Sequence, residues 1–142
     1  MKDEDLRRQG LIRPLPVNPR RVADALGLAR RDVVAARAML AVNADWAYNI
    51  AYNAMLQGVR ALMFSHGYRP GGSHQHVAVV KYAEAHLERK WSVQLDRMRR
   101  KRHVSVYDTA GTIPGTEAEN AVARAEEFVE VIEGMVSGVI PD

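Results

Sequence analysis

Residues 45–63 read DWAYNIAYNAMLQGVRALM, and this stretch carries the clearest helix pattern in the chain. Apolar side chains recur in it at spacings of three and four, which puts them on one broad face of a helix. Small residues recur at the same spacings and would let a neighbouring helix approach closely. We therefore predict a helix from Trp46 to His66 that packs in a helical bundle.

The sequence on either side predicts four more helices. Their approximate ranges are residues 20–42, 74–88, 93–107 and 117–136. Predicted N-terminal caps are Asn18, Asp45, Ser73 and Thr116, the last paired with Glu119 in a capping box. Gly27 is a weak point at which the first of these helices could break. No segment alternates between apolar and polar residues as a strand does, so we predict an all-α fold, an up-and-down bundle of four or five helices.

The first 18 residues are predicted to form an N-terminal extension, and residues 19–142 a single helical domain. Pro14, Pro16 and Pro19 prevent a continuous helix at the start of the chain. Apolar side chains between residues 11 and 17 could still pack on the domain or on a second subunit.

Composition excludes several classes of site. The 142 residues are 47% hydrophobic and 26% charged, a balance typical of a soluble globular domain. There is no cysteine, which excludes disulfides, thiolate metal sites and cysteine nucleophiles. The histidines lack the spacing of zinc or di-iron motifs, so we expect neither metal nor cofactor. With no long apolar run and an acidic N-terminus, we expect a cytoplasmic protein without a membrane span.

The net charge of +3 hides a strong asymmetry along the chain. Residues 117–142 hold seven acidic side chains and one basic side chain, whereas the rest of the chain carries a net charge of +9. The positive excess is concentrated in Arg89, Lys90, Arg97, Arg99, Arg100, Lys101 and Arg102. Such a cluster indicates an anionic partner, although a solvated helix face is the alternative.

One face of the fourth predicted helix combines side chains that suit RNA. It holds Arg99, Arg102, His103, Val106 and Tyr107. Arginine binds phosphate with a two-pronged hydrogen bond, tyrosine stacks on bases, and histidine transfers protons near neutral pH. The same stretch buries Leu95 and Met98 on its other side, so it is an amphipathic helix and not a polybasic tail.

The chain resembles the HEPN superfamily of helical nucleotide-binding domains in three places. Residues 45–63 look like the alanine- and aromatic-rich helix of that family, which ends in Arg-Ala-Leu. The loop Gly67-Tyr68-Arg69, followed by Ser73-His74-Gln75-His76, resembles the histidine-containing helix start of bacterial members. The run from Arg99 to Asp108 resembles the signature region.

This resemblance implies a site built on an arginine and a histidine with four to six residues between them. Two registers fit the sequence. In the first, Arg97 is the signature arginine and His103 the histidine. In the second, Arg102 is the signature arginine, His103 is the polar residue that follows it, and Tyr107 lies in the approximate place of the histidine. The implied catalytic residues are thus Arg97, Arg102, His103 and Tyr107. The implied phosphate-binding residues are Arg99, Arg100, Lys101 and Arg102.

We weigh three functions, of which the first two are implied by this resemblance. The first is a non-catalytic or weakly active module that binds RNA or a nucleotide in a toxin–antitoxin or defence system, with a minimal nucleotidyltransferase as a partner. The second is a metal-independent RNA endonuclease that acts as a dimer. The third is a structural helical dimer whose basic segment meets an acidic surface. An approach of Arg99 or Arg102 to Glu126 or Glu130 would favour the third. A homodimer is expected in every case.

Overall fold

The computed structural model describes residues 2–140 of the chain. Met1, Pro141 and Asp142 lie outside the described residues, and with them the outermost ends of the predicted extension and domain. The elements are α1 (Asp3–Arg8), β1 (Ile12–Pro14), α2 (Pro19–Met39), α3 (Ala44–Ser65), β2 (Tyr68–Pro70), α4 (Gln75–His86), α5 (Arg89–His103), a π-helical turn (Val104–Asp108) and α6 (Gly115–Val136). The predicted all-α bundle is confirmed.

Helix α3 is the most deeply buried element and contacts α2, α4, α5 and α6. Tyr48, Tyr52 and Met55 on this helix are at most 1% exposed. Gly58 lets α6 come close, because a Cβ atom at this position would lie 3.1 Å from the ring of Phe128. Burying one large apolar side chain contributes about 1.5–3 kcal/mol, so the core around α3 holds the bundle together.

The predicted helix starts are only partly right. The Asn18 side chain accepts a hydrogen bond from the Arg20 amide, as predicted, and α2 runs through Gly27 without a break. Helix α3, however, is capped by Asn43 and not by Asp45. The Asp45 carboxylate instead accepts hydrogen bonds from the amides of Gly111 and Ile113, which fixes the loop before α6.

Two other predicted caps are wrong. His74, and not Ser73, precedes α4, and its side chain makes no capping hydrogen bond. Helix α6 starts directly after Pro114, so Thr116 already lies inside the first turn and the capping box does not form. Pro114 has an extended backbone at the N-cap position and makes no side-chain capping hydrogen bond.

The segment before α2 is folded onto the bundle. Leu6 of α1 and Ile12 of β1 are buried, with 0% and 1% of their surface exposed. Strand β1 pairs antiparallel with β2, with Ile12 opposite Pro70. A three-residue strand is too short to produce an alternating pattern, which is why the sequence did not predict this pair.

Position 71 requires glycine because two backbone segments meet there. The Gly71 amide donates a hydrogen bond of 2.8 Å to the Leu11 carbonyl, and a Cβ atom would lie 2.6 Å from the carbonyl oxygen of Gly10. We expect Gly71→Ala to lower the free energy of unfolding by about 1–3 kcal/mol, measured by urea denaturation. Gly27→Ala is the control. It meets no atom within 4 Å inside α2, so it should stabilise the protein by about 0.5–1 kcal/mol. Equal effects of the two substitutions would contradict this account.

Helix α5 starts earlier and ends earlier than predicted. It begins at Arg89, directly after the extended residues 87 and 88. After His103 the chain continues as the π-helical turn, in which the Thr109 amide bonds to the Val104 carbonyl five residues back. None of the helices in residues 2–140 is both long enough and apolar enough to cross a membrane.

Candidate nucleic-acid interface

An open cavity of about 630 Å³ lies at the C-terminal end of α5, and we call it the basic cleft. Its lining side chains come from α4, α5 and the π-helical turn. They are His76, Arg99, Arg100, Arg102, His103 and Tyr107. Three guanidinium groups, two imidazoles and one phenol therefore share one space, and all of them are groups that bind phosphate or bases.

The way in which α5 packs on the core determines which of its side chains reach the cleft. Leu95 and Met98 are completely buried and hold the helix against the core. Arg99 and Arg102 come four residues after them, so they lie half-buried at the edge of this apolar stripe. Long arginine side chains can cover apolar surface with their stems while the charged ends stay in the cleft.

The π-helical turn is held against α3 by Ser105. Its hydroxyl accepts a hydrogen bond from the Asn49 side chain at 3.2 Å and donates one to the Arg102 carbonyl at 3.1 Å. The turn carries Tyr107 next to His103, with 5.0 Å between the ring centroids. This pair forms one side of the cleft, and 65% of the Tyr107 surface is exposed.

His76 is oriented by a buried tyrosine. The Tyr52 hydroxyl lies 3.1 Å from Nδ1 of His76, and Tyr52 is completely buried. Burial raises the pKa of Tyr52 to about 12, so the phenol keeps its proton at neutral pH. Within the described part of the chain this hydroxyl has no other hydrogen-bond partner. We therefore assign the O–H as donor to Nδ1, which leaves the His76 proton on Nε2.

Charge and burial keep His76 neutral. Partial burial of its ring, followed by the positive charges of Arg102 and Arg99, lowers the pKa of His76 below its usual value. A neutral imidazole whose Nδ1 accepts from Tyr52 presents one Nε2–H donor. The cleft thus contains a hydrogen-bond donor of fixed orientation beside its arginines.

Arg102 is the most available cation of the cleft. Its guanidinium lies 5.9 Å from the centroid of the Tyr52 ring, within the range of a cation–π contact. Arg99 and Arg100 both pair with the Asp96 carboxylate, at 3.0 and 3.4 Å. In residues 2–140, no carboxylate pairs with Arg102, so its positive charge is not neutralised within the chain.

Two of the residues predicted from the sequence lie elsewhere. Arg97 and Lys101 are four residues apart and face α6, where both contact the Glu117 carboxylate at 3.5 and 2.6 Å. Arg97 and His103 therefore lie on different sides of α5. The structure brings Arg102, His103 and Tyr107 together with Arg99 and Arg100.

Sequence reasoning did not assign His76 and Tyr52 to the site. The only signal for His76 is its place in the stretch that resembles a family motif. It lies 26 positions before Arg102, and no helical spacing can relate residues on two different helices. Tyr52 has the pattern of a core residue of α3, which it is, but its hydroxyl reaches the edge of the cleft.

The acidic face of α6 does not neutralise the basic cleft. Glu126 pairs with Arg37 and Glu133 with Arg30, both on α2. The approach of Arg99 or Arg102 to Glu126 or Glu130 that would have favoured a structural role is not found within residues 2–140. The cleft therefore keeps its positive charge for a ligand. No group of three or more histidine, aspartate or glutamate side chains in the same range could hold a metal ion.

The lowered pKa of His76 predicts a pH effect on stability. Its pKa is lower in the folded chain than the usual 6.5 of an unfolded one, so the unfolded chain takes up the proton first. The free energy of unfolding should therefore fall as pH drops from about 7 through 6.5 and below. Urea denaturation at pH 7.5 and 5.5 measures this change. His76→Asn keeps an acceptor near the Nδ1 position and should reduce the pH dependence.

His74→Asn is the matched control, because His74 is two residues away and forms no hydrogen bond with Tyr52. It should leave the pH dependence unchanged. An identical pH profile for His76→Asn and the unmodified chain would show that His76 does not contribute to the pH dependence.

Comparison with known proteins agrees with this architecture. No curated protein matches the chain. The family model of the HEPN domain matches residues 22–135, a range that runs from the first turns of α2 almost to the end of α6 and includes the whole basic cleft. This range covers most of the 142 residues, so the chain belongs to the HEPN domain family.

Proposed function

We propose that this protein binds single-stranded RNA in the basic cleft, as a non-catalytic or weakly active module. The observation that carries the proposal is the half-buried guanidinium of Arg102, which has no carboxylate partner in the described residues and faces a cavity with two further arginines. A phosphodiester supplies the missing anion. A guanidinium presents two parallel N–H donors that match two phosphate oxygens, a geometry that an ammonium group lacks.

The remaining side chains of the cleft fit the other parts of a nucleotide. The Nε2–H donor of His76 suits a phosphate or ribose oxygen. Tyr107 exposes its ring beside His103 and provides a surface for a base to stack on. Stacking of a base on an aromatic side chain contributes about 1–3 kcal/mol and depends little on the identity of the base. The cleft should therefore prefer an unpaired strand to a duplex.

The biological setting is part of the same proposal. Membership of a toxin–antitoxin or defence system, with a minimal nucleotidyltransferase as partner, rests on the resemblance of the sequence to bacterial members of the family. An anionic surface on such a partner would compete with RNA for the basic cleft. Competition between the two ligands is therefore the expected sign of this partnership.

We also propose that the chain forms a homodimer. Of the N-terminal apolar residues, Leu11, Ile12 and Leu15 pack within one chain, as do the small residues of α3, so they leave little for a second subunit. The support comes instead from Val42 and Trp46, which lie four residues apart at the turn between α2 and α3 and expose 77% and 54% of their surfaces. Light scattering after size-exclusion chromatography should give twice the chain mass, and a monomer at micromolar concentration would overturn this part.

Fluorescence anisotropy with a labelled single-stranded RNA tests the main proposal. We expect micromolar or tighter binding at about 50 mM salt, weaker binding of the matching duplex, and a logarithmic salt slope of about −0.7 per phosphate contacted. Absence of binding at this salt concentration would refute the proposal. The same RNA, incubated with concentrated protein and a chelator and then run on a gel, distinguishes a binding module from the endonuclease alternative. A binding module should leave the RNA intact.

A further inference from the structure

The π-helical turn that carries Tyr107 is not held in place by burial. None of the five residues of the turn is buried, and Val104 at its start exposes 41% of its surface. A π-helical turn and a continued α-helix differ in the number of residues per turn, so they aim the side chain at position 107 in different directions. Whatever holds the turn therefore decides where the Tyr107 ring lies relative to His103.

One side chain of α3 holds the turn. Asn49 donates hydrogen bonds from Nδ2 to the Ser105 hydroxyl at 3.2 Å and to the Asp45 carbonyl at 2.7 Å. The Ser105 hydroxyl in turn donates to the Arg102 carbonyl, at the end of α5 from which the turn continues. No other side chain of the turn forms a hydrogen bond or an ion pair with a residue in the range 2–140. Asn49 thus supplies the link between the turn and the core.

A second attachment to α3 lies one helical turn away from Asn49. The Asp45 carboxylate accepts hydrogen bonds from the amides of Gly111 and Ile113, at 2.6 and 3.2 Å. Tyr107 therefore lies between two attached points of the chain, Ser105 and Gly111. Because a segment held at both ends is already ordered, less conformational entropy is lost when a ligand binds to it.

Asn49 holds the turn while part of its own side chain goes without a partner. Only 6% of the residue is exposed, and its Oδ1 atom is buried with no hydrogen-bond partner in the described chain. An unpaired buried oxygen lowers stability, and leucine, whose side chain branches at the same carbon, would not have one. The two acceptors of Nδ2 would each keep another partner, since Ser105 still bonds to the Arg102 carbonyl and the Asp45 carbonyl lies within α3. Stability alone therefore does not favour asparagine at position 49.

We infer that Asn49 is a positioning residue of the basic cleft. It does not line the cavity itself. It acts through Ser105, by holding the π-helical turn so that the Tyr107 ring lies beside His103, with 5.0 Å between the ring centroids. The inference rests on the proposed stacking of an RNA base on Tyr107. It adds that a buried residue of another helix sets the place of the stacking surface.

Two matched substitutions on α3 separate positioning from folding. Asn49→Leu should weaken the binding of single-stranded RNA by about 3- to 10-fold, a part of the stacking contribution, while the urea midpoint stays the same or rises. Asn53→Leu is the control, four residues further along the helix. Asn53 donates to the buried Asp32 carboxylate at 2.7 Å, so this substitution should lower the urea midpoint and leave the RNA affinity unchanged.

The effect of Asn49 on RNA binding should depend on Tyr107. In a chain that already carries Tyr107→Ala, Asn49→Leu should change the RNA affinity by less than about 1.5-fold, because no ring is left to position. Ser105→Ala removes the other end of the hydrogen bond and should act as Asn49→Leu does. Ser105→Thr keeps the hydroxyl and should bind RNA as the unmodified chain does. An effect of Asn49→Leu that is equally large with and without Tyr107 would overturn the inference.

Nuclear Overhauser contacts between the rings of His103 and Tyr107 provide a readout that needs no RNA. They should be present in the unmodified chain and in Asn53→Leu, and they should be lost in Asn49→Leu. If the unmodified chain binds no RNA, the proposed function fails, and the ring contacts still decide whether Asn49 positions Tyr107. Contacts that persist in Asn49→Leu, or an RNA affinity equal to that of the unmodified chain, would contradict the role of Asn49.

Discussion

Arg102→Ala is expected to weaken binding of single-stranded RNA by about 10- to 100-fold. A hydrogen bond to a charged group contributes about 1.5–3 kcal/mol, and about 1.4 kcal/mol corresponds to a factor of ten in affinity. Arg102 should reach this range because no carboxylate in the described residues competes for it and because the residue is half-buried, with its guanidinium over Tyr52. Arg102→Lys should recover only part of the loss, since an ammonium group lacks the two parallel N–H donors of a guanidinium.

Arg97→Ala is the matched comparison for this experiment. It removes the same charge from the same helix, so any effect of net charge on RNA binding is equal in the two variants. The Arg97 side chain does not line the basic cleft, and it contacts the Glu117 carboxylate. Its loss should therefore change the affinity for RNA less than about threefold. The two registers proposed from the sequence differ here, because a site built on Arg97 and His103 requires a large effect from Arg97→Ala.

Anisotropy titrations at several salt concentrations provide the measurement. Loss of one phosphate contact should reduce the logarithmic salt slope by about 0.7 for Arg102→Ala, with no change for Arg97→Ala. Equal losses of affinity for the two variants would mean that RNA follows the total charge of α5. In that case the basic cleft would not be the binding site.

Local sequence signals account for most of the bundle. The apolar spacing in residues 45–63 is regular because α3 is surrounded by other helices and must bury most of its faces. The helix ends were harder to predict, as Asp45 illustrates. Asn43 and Asp45 are both good caps, and the choice between them depends on the loop at Gly111 and Ile113, which needs the Asp45 carboxylate. A hydrogen bond between residues 66 positions apart is invisible to a local pattern.

The candidate site, too, could be predicted from local patterns only in part. Helical spacing correctly grouped Arg99, Arg102 and His103, because all three lie on one helix. Tyr107 reaches the cleft through a π-helical turn, whose geometry the sequence did not predict. His76 and Tyr52 became recognisable only through the hydrogen bond that joins α4 to α3. Side chains on separate elements meet through the packing of the whole chain, and periodicity carries no information about that packing.

Leu6→Ala is expected to lower the free energy of unfolding by about 2–5 kcal/mol, although position 6 lies in the segment that the sequence predicted as an extension. Leu6 is completely buried in the same core as α4 and β1. Its helix is further attached by a hydrogen bond of 2.5 Å between Asp3 and His86. Shortening Leu6 to alanine would reduce apolar packing and leave a cavity that rigid neighbours on α4 cannot fill.

Val17→Ala is the matched control, because it shortens an apolar side chain of the same segment that is 47% exposed. It should change the free energy of unfolding by less than about 0.5 kcal/mol. Urea denaturation followed by circular dichroism measures both variants. A change for Leu6→Ala as small as that of the control would mean that α1 detaches without cost and that the domain begins at α2. A decrease in the expected range would make α1 part of the cooperative unit, because only a helix that unfolds together with the core can affect the stability of the whole bundle.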